Sequence, residues 1–520
     1  MPSNHLDFCL GDIARQNADR FPGVPAYVDE TGARTHADLY TRASAVAAAL
    51  AKAGLRRQDR IGLFGRNSIA FGEVFAAAGI SGIIVATVNF RLAAPEVGRI
   101  LADARPRVLF VDAEFLPVVD LVRADLDLEL VVCLGATDRT DVVAYEDFVA
   151  SAPGPDLPFA AQPDDIAALV YTSGTTGKPK GAMLGQRQLY HCALIMNGEM
   201  RTGSDDRALL VMPTFHIGAT AIALGLHARG GTAVLHRQFD ASALLDAVPA
   251  ERITVLHLAP VMLQAVLDAA ATRPGALANV RTVVYSAAPI SGPTLQQALE
   301  IMPEAGFLNL YGQTEVITSG LPRELHYGDG AARERRLTSV GHPFPQTAVR
   351  IVAEDGTECA PGTPGEITVS TPAMFRGYWN DSVATAETLR DGWCHTGDIG
   401  VFDEEGLLHL VDRKKDVIIS GGENVYSLEV EEAVITHPGV ARCAVVGVPD
   451  ERWGEAVCAV VVPVEGATIE LAELREYVAA RIARYKAPRS VVVVDELPVL
   501  QTGKIDKKTL RLRVATHQPA

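Results

Sequence analysis

Residues 171–182 read YTSGTTGKPKGA, and this stretch follows directly on the apolar run at 167–171. A short apolar run bounded by turn residues predicts a buried strand, so the stretch leaves the end of a sheet as a loop. Three glycines and two lysines lie within its twelve positions, among several hydroxyl residues. Glycine lets backbone approach a ligand closely. Backbone N–H groups, hydroxyls and ammonium groups together form a cradle for an anion, and a triphosphate is the obvious occupant. Lys178 is followed by Pro179, so the stretch is not a GxxxxGK[ST] loop, which argues against a P-loop kinase or GTPase.

Outward from this loop the pattern repeats. Short apolar runs at 61–64, 108–112, 233–235, 254–258 and 282–286 read as further buried strands, and 39–53 and 261–271 as helices. Such alternation predicts α/β layers with parallel sheets. Two long uncharged stretches, 74–91 and 208–229, are broken by Gly79, Asn89, Pro213 and His216. They read as buried helix and strand rather than as membrane spans. After about Gly341, short runs at 348–353, 365–370 and 406–412, separated by EDG, PGTPG and DEEG turns, predict a β-rich subdomain. The charged RKKD at 413–416 marks a boundary. The expected division is a large domain over 1–414 and a small α+β domain over 415–520.

Composition narrows the function. With 47 Lys and Arg against 63 Asp and Glu, the formal charge is −16, which disfavours a protein that coats nucleic acid or an anionic membrane. The seven cysteines form no CxxC pair, so disulfide and zinc frameworks are disfavoured and a reducing cytoplasm is expected. The start MPSNHLDF has no signal-peptide pattern.

Further segments carry chemistry of their own. YGQTE at 311–315 sets an aromatic ring beside a glycine, which suits a stacked purine, followed by a hydroxyl and by a hard carboxylate for magnesium. HTGD ends in Asp398, placed in a turn between strand-like runs, where a carboxylate can accept from two ribose hydroxyls. Alone, Glu315 reads as a solvated carboxylate, Asp398 equally well as an Asx-turn residue, and Lys504 in QTGKIDK as one more tail lysine. His216 alone reads as a core histidine.

Taken together the segments resemble one family, the adenylate-forming enzymes: acyl-CoA synthetases, carrier-loading adenylation domains and firefly-type luciferases. The resemblance rests on 171–182, MPTFHIGA at 212–219, YSAAP at 285–289, YGQTE, HTGDIG at 395–400, DRKKDVIISGGENV at 412–425 and PVLQTGKIDK at 498–507, in order. It implies an ATP- and acid-binding domain and a mobile C-terminal domain turning about Lys415. It places ATP or AMP on Thr172, Ser173, Gly174, Thr175, Thr176, Gly177, Lys180, Ala287, Ala288, Pro289, Tyr311, Gly312, Gln313, Thr314, Asp398, Arg413 and Lys504. Glu315 and Thr176 would hold Mg2+. Lys504, Glu315, Thr314, His216 and Arg413 would serve catalysis, and Gly421 and Gly422 would line the CoA tunnel. The acid would lie among His216, Ala219, Leu258, Ala259, Ser286, Ala287, Gly312 and Val316. These walls are mostly small and apolar, which suits a monocarboxylic acid with an apolar body.

The expected activity is that of an AMP-forming acid–CoA ligase, with ATP, Mg2+ and CoA as co-substrates and cofactor. A medium- or long-chain fatty acid is the expected substrate, with an aryl or branched acid as the alternative. A carrier-loading enzyme is the competing class. No carrier segment follows residue 520, which favours CoA. No nucleic-acid partner and no transmembrane segment are expected, and a homodimer is left open. Three departures stand out: Gly185 and Gln186 after Leu184, Ser286-Ala287-Ala288-Pro289 where many members have a Gly-Gly-Ala-Pro-like run, and Ser427 where many have proline.

Overall fold

The computed structural model describes residues 8–152, 157, 159–173, 179–421, 423–450, 452–499 and 505–517. They form two compact units, Met1–Val349 with Val369–Cys394, and Arg350–Thr368 with His395–Ala520. Lys415 lies inside the second unit.

Among its described residues the first unit holds two sheets. The seven-stranded sheet runs in the order Val143–Ala144, Leu130–Cys133, Val108–Val111, Arg60–Phe64, Ile84–Thr87, Ile166–Ser173, Pro179–Gly185. All its neighbours are parallel except the last pair. The nine-stranded sheet is parallel through Gly306–Gly312, Thr282–Ser286, Val255–Leu258, Arg207–Leu210, Thr232–Leu235 and Pro25–Asp29, with antiparallel strands at both edges. Ile84–Thr87, Val108–Val111, Thr232–Leu235 and Val255–Leu258 are buried at every position. Burial on both faces explains why they read as unbroken apolar runs rather than as alternating ones.

The two uncharged stretches become buried helix and strand. Ile69–Ser81 is a helix capped by Ser68, whose hydroxyl accepts from the Phe71 amide at 3.1 Å, and it ends on Gly82 at φ +75° before the strand Ile84–Thr87. Arg207–Leu210 is a strand and Ile217–His227 a helix. Glu73, the charge that opens the first stretch, is fully buried. It accepts from Arg42 Nε at 2.6 Å, Arg34 Nε at 3.2 Å and the Tyr145 hydroxyl at 2.7 Å, so its desolvation is offset by paired donors. No helix among the described residues is long and apolar enough to cross a membrane.

In the second unit, Glu423–Val425, Ile418–Ser420, Gly454–Pro463 and Val440–Asp450 form an antiparallel sheet, and Ser490–Val493 adds in parallel to Gly454–Pro463. Alternation along its long strands feeds two cores. Val445, Val457 and Val461 pack with Val430, Val434 and Leu474, while Val446, Cys458 and Val460 pack with Leu510 and Val514. The β-rich region is a separate five-stranded sheet. It corrects one expectation: Asp398 is not in a turn, because Trp393–Phe402 is one continuous strand paired with Leu408–Arg413. Gly397, at φ +70°, sits inside that strand without ending it, and the register of the pair shifts between Ile399 and Gly400.

Candidate active site

The glycine-rich loop springs from a hairpin. Ile166–Ser173 pairs antiparallel with Pro179–Gly185, Thr172 opposite Lys180 and Ser173 opposite Pro179. Gly174, Thr175, Thr176, Gly177 and Lys178 lie outside the described residues, as does the side chain of Ser173. What the hairpin holds is visible at its base. Segment 375–379 lies along Pro179–Gly185, with hydrogen bonds from Met183 N to Gly377 O (2.9 Å), Arg376 N to Met183 O (2.9 Å) and Trp379 N to Gly181 O (2.8 Å). This brings the Lys180 ammonium to 5.1 Å from the centroid of the Tyr378 ring. The Tyr378 hydroxyl donates to Glu315 Oε1 at 2.6 Å. Burial, and then the neighbouring carboxylate, hold that phenol far above its ordinary value, so it remains a donor.

Glu315 is positioned by a tight hairpin. Gly306–Gly312 and Ile317–Leu321 are antiparallel, and Gln313 N donates to Val316 O at 2.7 Å across the turn. A Cβ on Gly312 would meet Val316 O at 2.8 Å, so only glycine fits there, and its bare face is exposed. Tyr311 and Val316 are buried, and Gln313 and Thr314 are half-buried. Glu315 is only 8% exposed, and the Phe375 amide donates to its backbone carbonyl at 2.7 Å. Among the described residues no group of three or more His, Cys, Asp or Glu could hold a metal ion by itself. Magnesium is commonly bound by one or two carboxylates together with substrate phosphates. A single carboxylate with acceptor capacity left after Tyr378 fits that shared arrangement.

The residues expected around the acid include several at the carboxyl ends of neighbouring parallel strands. Ser286 and Ala287 are half-buried at the end of Thr282–Ser286, and Ala288 and Pro289 are exposed. Ala287 has φ +75°, a left-handed conformation that costs a non-glycine residue about 1 kcal/mol. Leu258 is fully buried in the cluster with Leu256, Leu263, Val283 and Tyr285. Side chains alternate along a strand, so His257 stands on the opposite face, toward Gly218 of the helix Ile217–His227.

His216 is half-buried immediately before that helix, its ring centroid 4.3 Å from that of Phe215. The preceding segment is braced. Asn67 Nδ2 donates to the carbonyls of Leu210, Met212 and His236, and its Oδ1 accepts from Thr214 N at 2.8 Å. The Thr87 hydroxyl donates to Phe215 O at 3.0 Å. Ala219 is buried, Ala259 half-buried and Gly218 exposed.

In the second unit, Asp398 is buried opposite Arg413, with Arg413 Nε 3.5 Å from Asp398 Oδ1. Asp412, on the other side of the strand, accepts from the Ser427 hydroxyl at 3.0 Å and from the Ser427 amide. Lys507 joins Ser427 (2.6 Å) to Glu431 (2.7 Å). Lys415 is exposed in a turn whose carbonyl accepts from Arg511 at 3.3 Å. Gly421 is required on two counts, a φ of +65° and the Trp453 ring 2.8 Å from where its Cβ would stand. Gly422 and Lys504 lie outside the described residues.

Tyr378, His257 and Asn67 are additions that the sequence did not single out. Tyr378 stands in the aromatic-rich FRGYW at 375–379, which could have drawn attention. His257 and Asn67 are single residues in ordinary runs.

A hairpin-borne lysine beside an ordered carboxylate suits a magnesium–triphosphate, and the strand ends beside His216 suit a small organic acid. Comparison with known proteins agrees. Residues 14–379 match the family model "AMP-binding enzyme" and 429–504 match "AMP-binding enzyme C-terminal domain". The feruloyl-CoA synthase of an Amycolatopsis species is 40% identical over 506 residues, covering 97% of this chain and 99% of that protein. The long-chain-fatty-acid–CoA ligase FadD13 of Mycobacterium tuberculosis is 32% identical, covering 98% and 99%. The crystal structure of ATP-bound MatB from Rhodopseudomonas palustris superposes with a TM-score of 0.88 at 29% identity, covering 97% and 99%. The chain belongs to the AMP-binding enzyme family, among its adenylate-forming acid–CoA ligases.

Proposed function

We propose that the chain activates a monocarboxylic acid with an apolar, aromatic body, first as acyl-AMP with release of pyrophosphate and then as the CoA thioester. The contact that carries the first half is Tyr378–Glu315 beside Lys180. It fixes one carboxylate oxygen and leaves the other groups free to meet a metal-bound triphosphate. Mg2+ held by Glu315, and by Thr176 in the loop, would neutralise phosphate charge. Lys504 supplies a second cation where charge develops at the α-phosphorus. Asp398 accepts from the ribose hydroxyls, with Arg413 paired to it at 3.5 Å. In the second half the CoA thiol attacks the acyl carbon, and AMP leaves. Gly421 and Gly422 offer bare backbone to the pantetheine.

An aromatic acid takes first place because the 40%-identical relative is named for one and because Ser286, expected in the acid pocket, is paired with His257 at 2.9 Å. A medium- or long-chain fatty acid is the second reading, supported by the 32%-identical relative and the small apolar walls. Two domains, 1–414 and 415–520, pivoting at Lys415, would separate the half-reactions, with the cytoplasm as the place of work.

One experiment tests the whole scheme. Pyrophosphate release and thioester formation are measured with alkanoic, arylpropenoic and dicarboxylic acids for the native enzyme, Lys504→Ala and Lys415→Pro. The native enzyme should use monocarboxylates in both halves. Lys504→Ala should lose adenylation by several orders of magnitude yet convert preformed acyl-AMP. Lys415→Pro should keep pyrophosphate release and lose thioester, because proline fixes φ at the pivot. Turnover of dicarboxylates alone would defeat the pocket assignment, and equal loss of both halves in folded Lys415→Pro would move the pivot elsewhere.

A further inference from the structure

His257 and Ser286 lie at the carboxyl ends of two adjacent parallel strands, His257 next to last in Val255–Leu258 and Ser286 last in Thr282–Ser286. In open α/β sheets the carboxyl ends of the strands are where ligands bind. Both side chains share the face of Val255 and Val284, which pack with Ala221 and Ile222 of the helix Ile217–His227. His257 is 1% exposed, and its Nε2 lies 2.9 Å from Ser286 Oγ. Its other ring nitrogen, Nδ1, is buried and has no hydrogen-bond partner.

Burial depresses the His257 pKa to about 4, so the ring is neutral at working pH. A neutral imidazole has one donor and one acceptor nitrogen. Whichever way the Ser286 bond runs, an unused donor or acceptor remains on Nδ1. Leaving it unsatisfied costs about 1–3 kcal/mol. Beyond its own helix, a Cβ placed on the exposed Gly218 would meet one atom within 4 Å, His257 Cε1 at 3.8 Å, the carbon bonded to both ring nitrogens, so this edge of the ring faces the exposed glycine.

We infer that His257, oriented by Ser286, reads a neutral hydrogen-bonding substituent on the acid, and that the natural acid carries a hydroxyl on its aromatic body. The inference rests on the proposed acid pocket and narrows its substrate class. A hydrophobic pocket rejects an added hydroxyl only weakly, whereas a site built to bond one strongly disfavours the analogue that lacks it. The direction of preference therefore reports the pair.

The test compares trans-cinnamate with 4-hydroxycinnamate and 3-hydroxycinnamate, with octanoate as a further acid. AMP release is followed for the native enzyme, His257→Leu, His257→Gln and Ser286→Ala. The native enzyme should favour at least one hydroxylated acid at least tenfold in kcat/KM. His257→Leu should bring hydroxylated and plain acids within about threefold by losing the hydroxylated one, with turnover of cinnamate or octanoate kept. His257→Gln should restore part of the preference, which a merely structural histidine would not do. A native ratio near one for both isomers, or an unchanged ratio in His257→Leu with turnover intact, overturns the inference. If His257→Leu fails to fold, Ser286→Ala decides: a narrowed ratio supports the inference and an unchanged one overturns it. Failure of every acid to release pyrophosphate from the native enzyme would instead sink the ligase assignment.

Discussion

Two polar groups stand in the first unit, and they are built on opposite principles. Lys180, Tyr378 and Glu315 bring charges together, with the carboxylate held by a hydroxyl 2.6 Å away. His257 and Ser286 are neutral, and His257 is buried with one ring nitrogen unused. A charge kept near the interior must be paired, because the desolvation of an isolated ion exceeds what folding can supply. A neutral donor or acceptor can be left unsatisfied at a cost of about 1–3 kcal/mol. The charged group therefore suits chemistry that every turnover needs, and the neutral pair suits discrimination between acids.

The largest expected effect lies on the charged side. Glu315→Gln keeps the shape and an acceptor for Tyr378 but removes the charge. Pyrophosphate release should fall at least a hundredfold, more steeply at low magnesium. A loss under threefold at all magnesium concentrations would place the metal-binding carboxylate elsewhere.

Next comes the acid response of the neutral histidines. Burial depresses His227 to about 3 and His257 and His326 to about 4, from 6.5. The unfolded chain takes up these protons first, so stability is full above about pH 6.5 and declines as pH falls toward 4. Urea midpoints should drop between pH 7 and pH 5.5 by the equivalent of roughly 3–4 kcal/mol, about 1.2 for each ring. A flat midpoint over that range would mean that these rings are charged in the folded protein or solvated in it.

Tyr378→Phe should cost about tenfold in adenylation, since it removes one oriented hydrogen bond and leaves the carboxylate in place. An effect as large as that of Glu315→Gln would make the phenol a participant rather than a support.

The smallest effect is at Ala287, whose backbone is held in the left-handed region. Ala287→Gly should leave stability unchanged or raise it by up to about 1 kcal/mol, the strain relieved being partly offset by the greater chain entropy of glycine. A measurable drop in melting temperature would show that the methyl group packs against something essential.

Much of this was legible from local chemistry. Strands buried on both faces announce themselves as apolar runs of four or five residues. The glycine-rich loop and YGQTE each carry a chemical logic within a few positions. That is enough to define an α/β enzyme that handles a nucleotide triphosphate. Strand parity and long-range approach are different matters. A strand alternates its faces, and only the placement of the helix Ile217–His227 shows what His257 meets on the face opposite Leu258. Asp398 was expected in a turn between strand-like runs, yet pairing with the strand at 408–413 makes Trp393–Phe402 continuous through it. Tyr378 meets Glu315 across 63 residues because segment 375–379 is hydrogen-bonded along Pro179–Gly185, a pairing with no local signature. The sequence by itself determined which groups could do chemistry, because reactivity belongs to residue types. The tertiary structure decided which of them are charged, paired or left wanting a partner, because burial and distance arise only when remote segments meet.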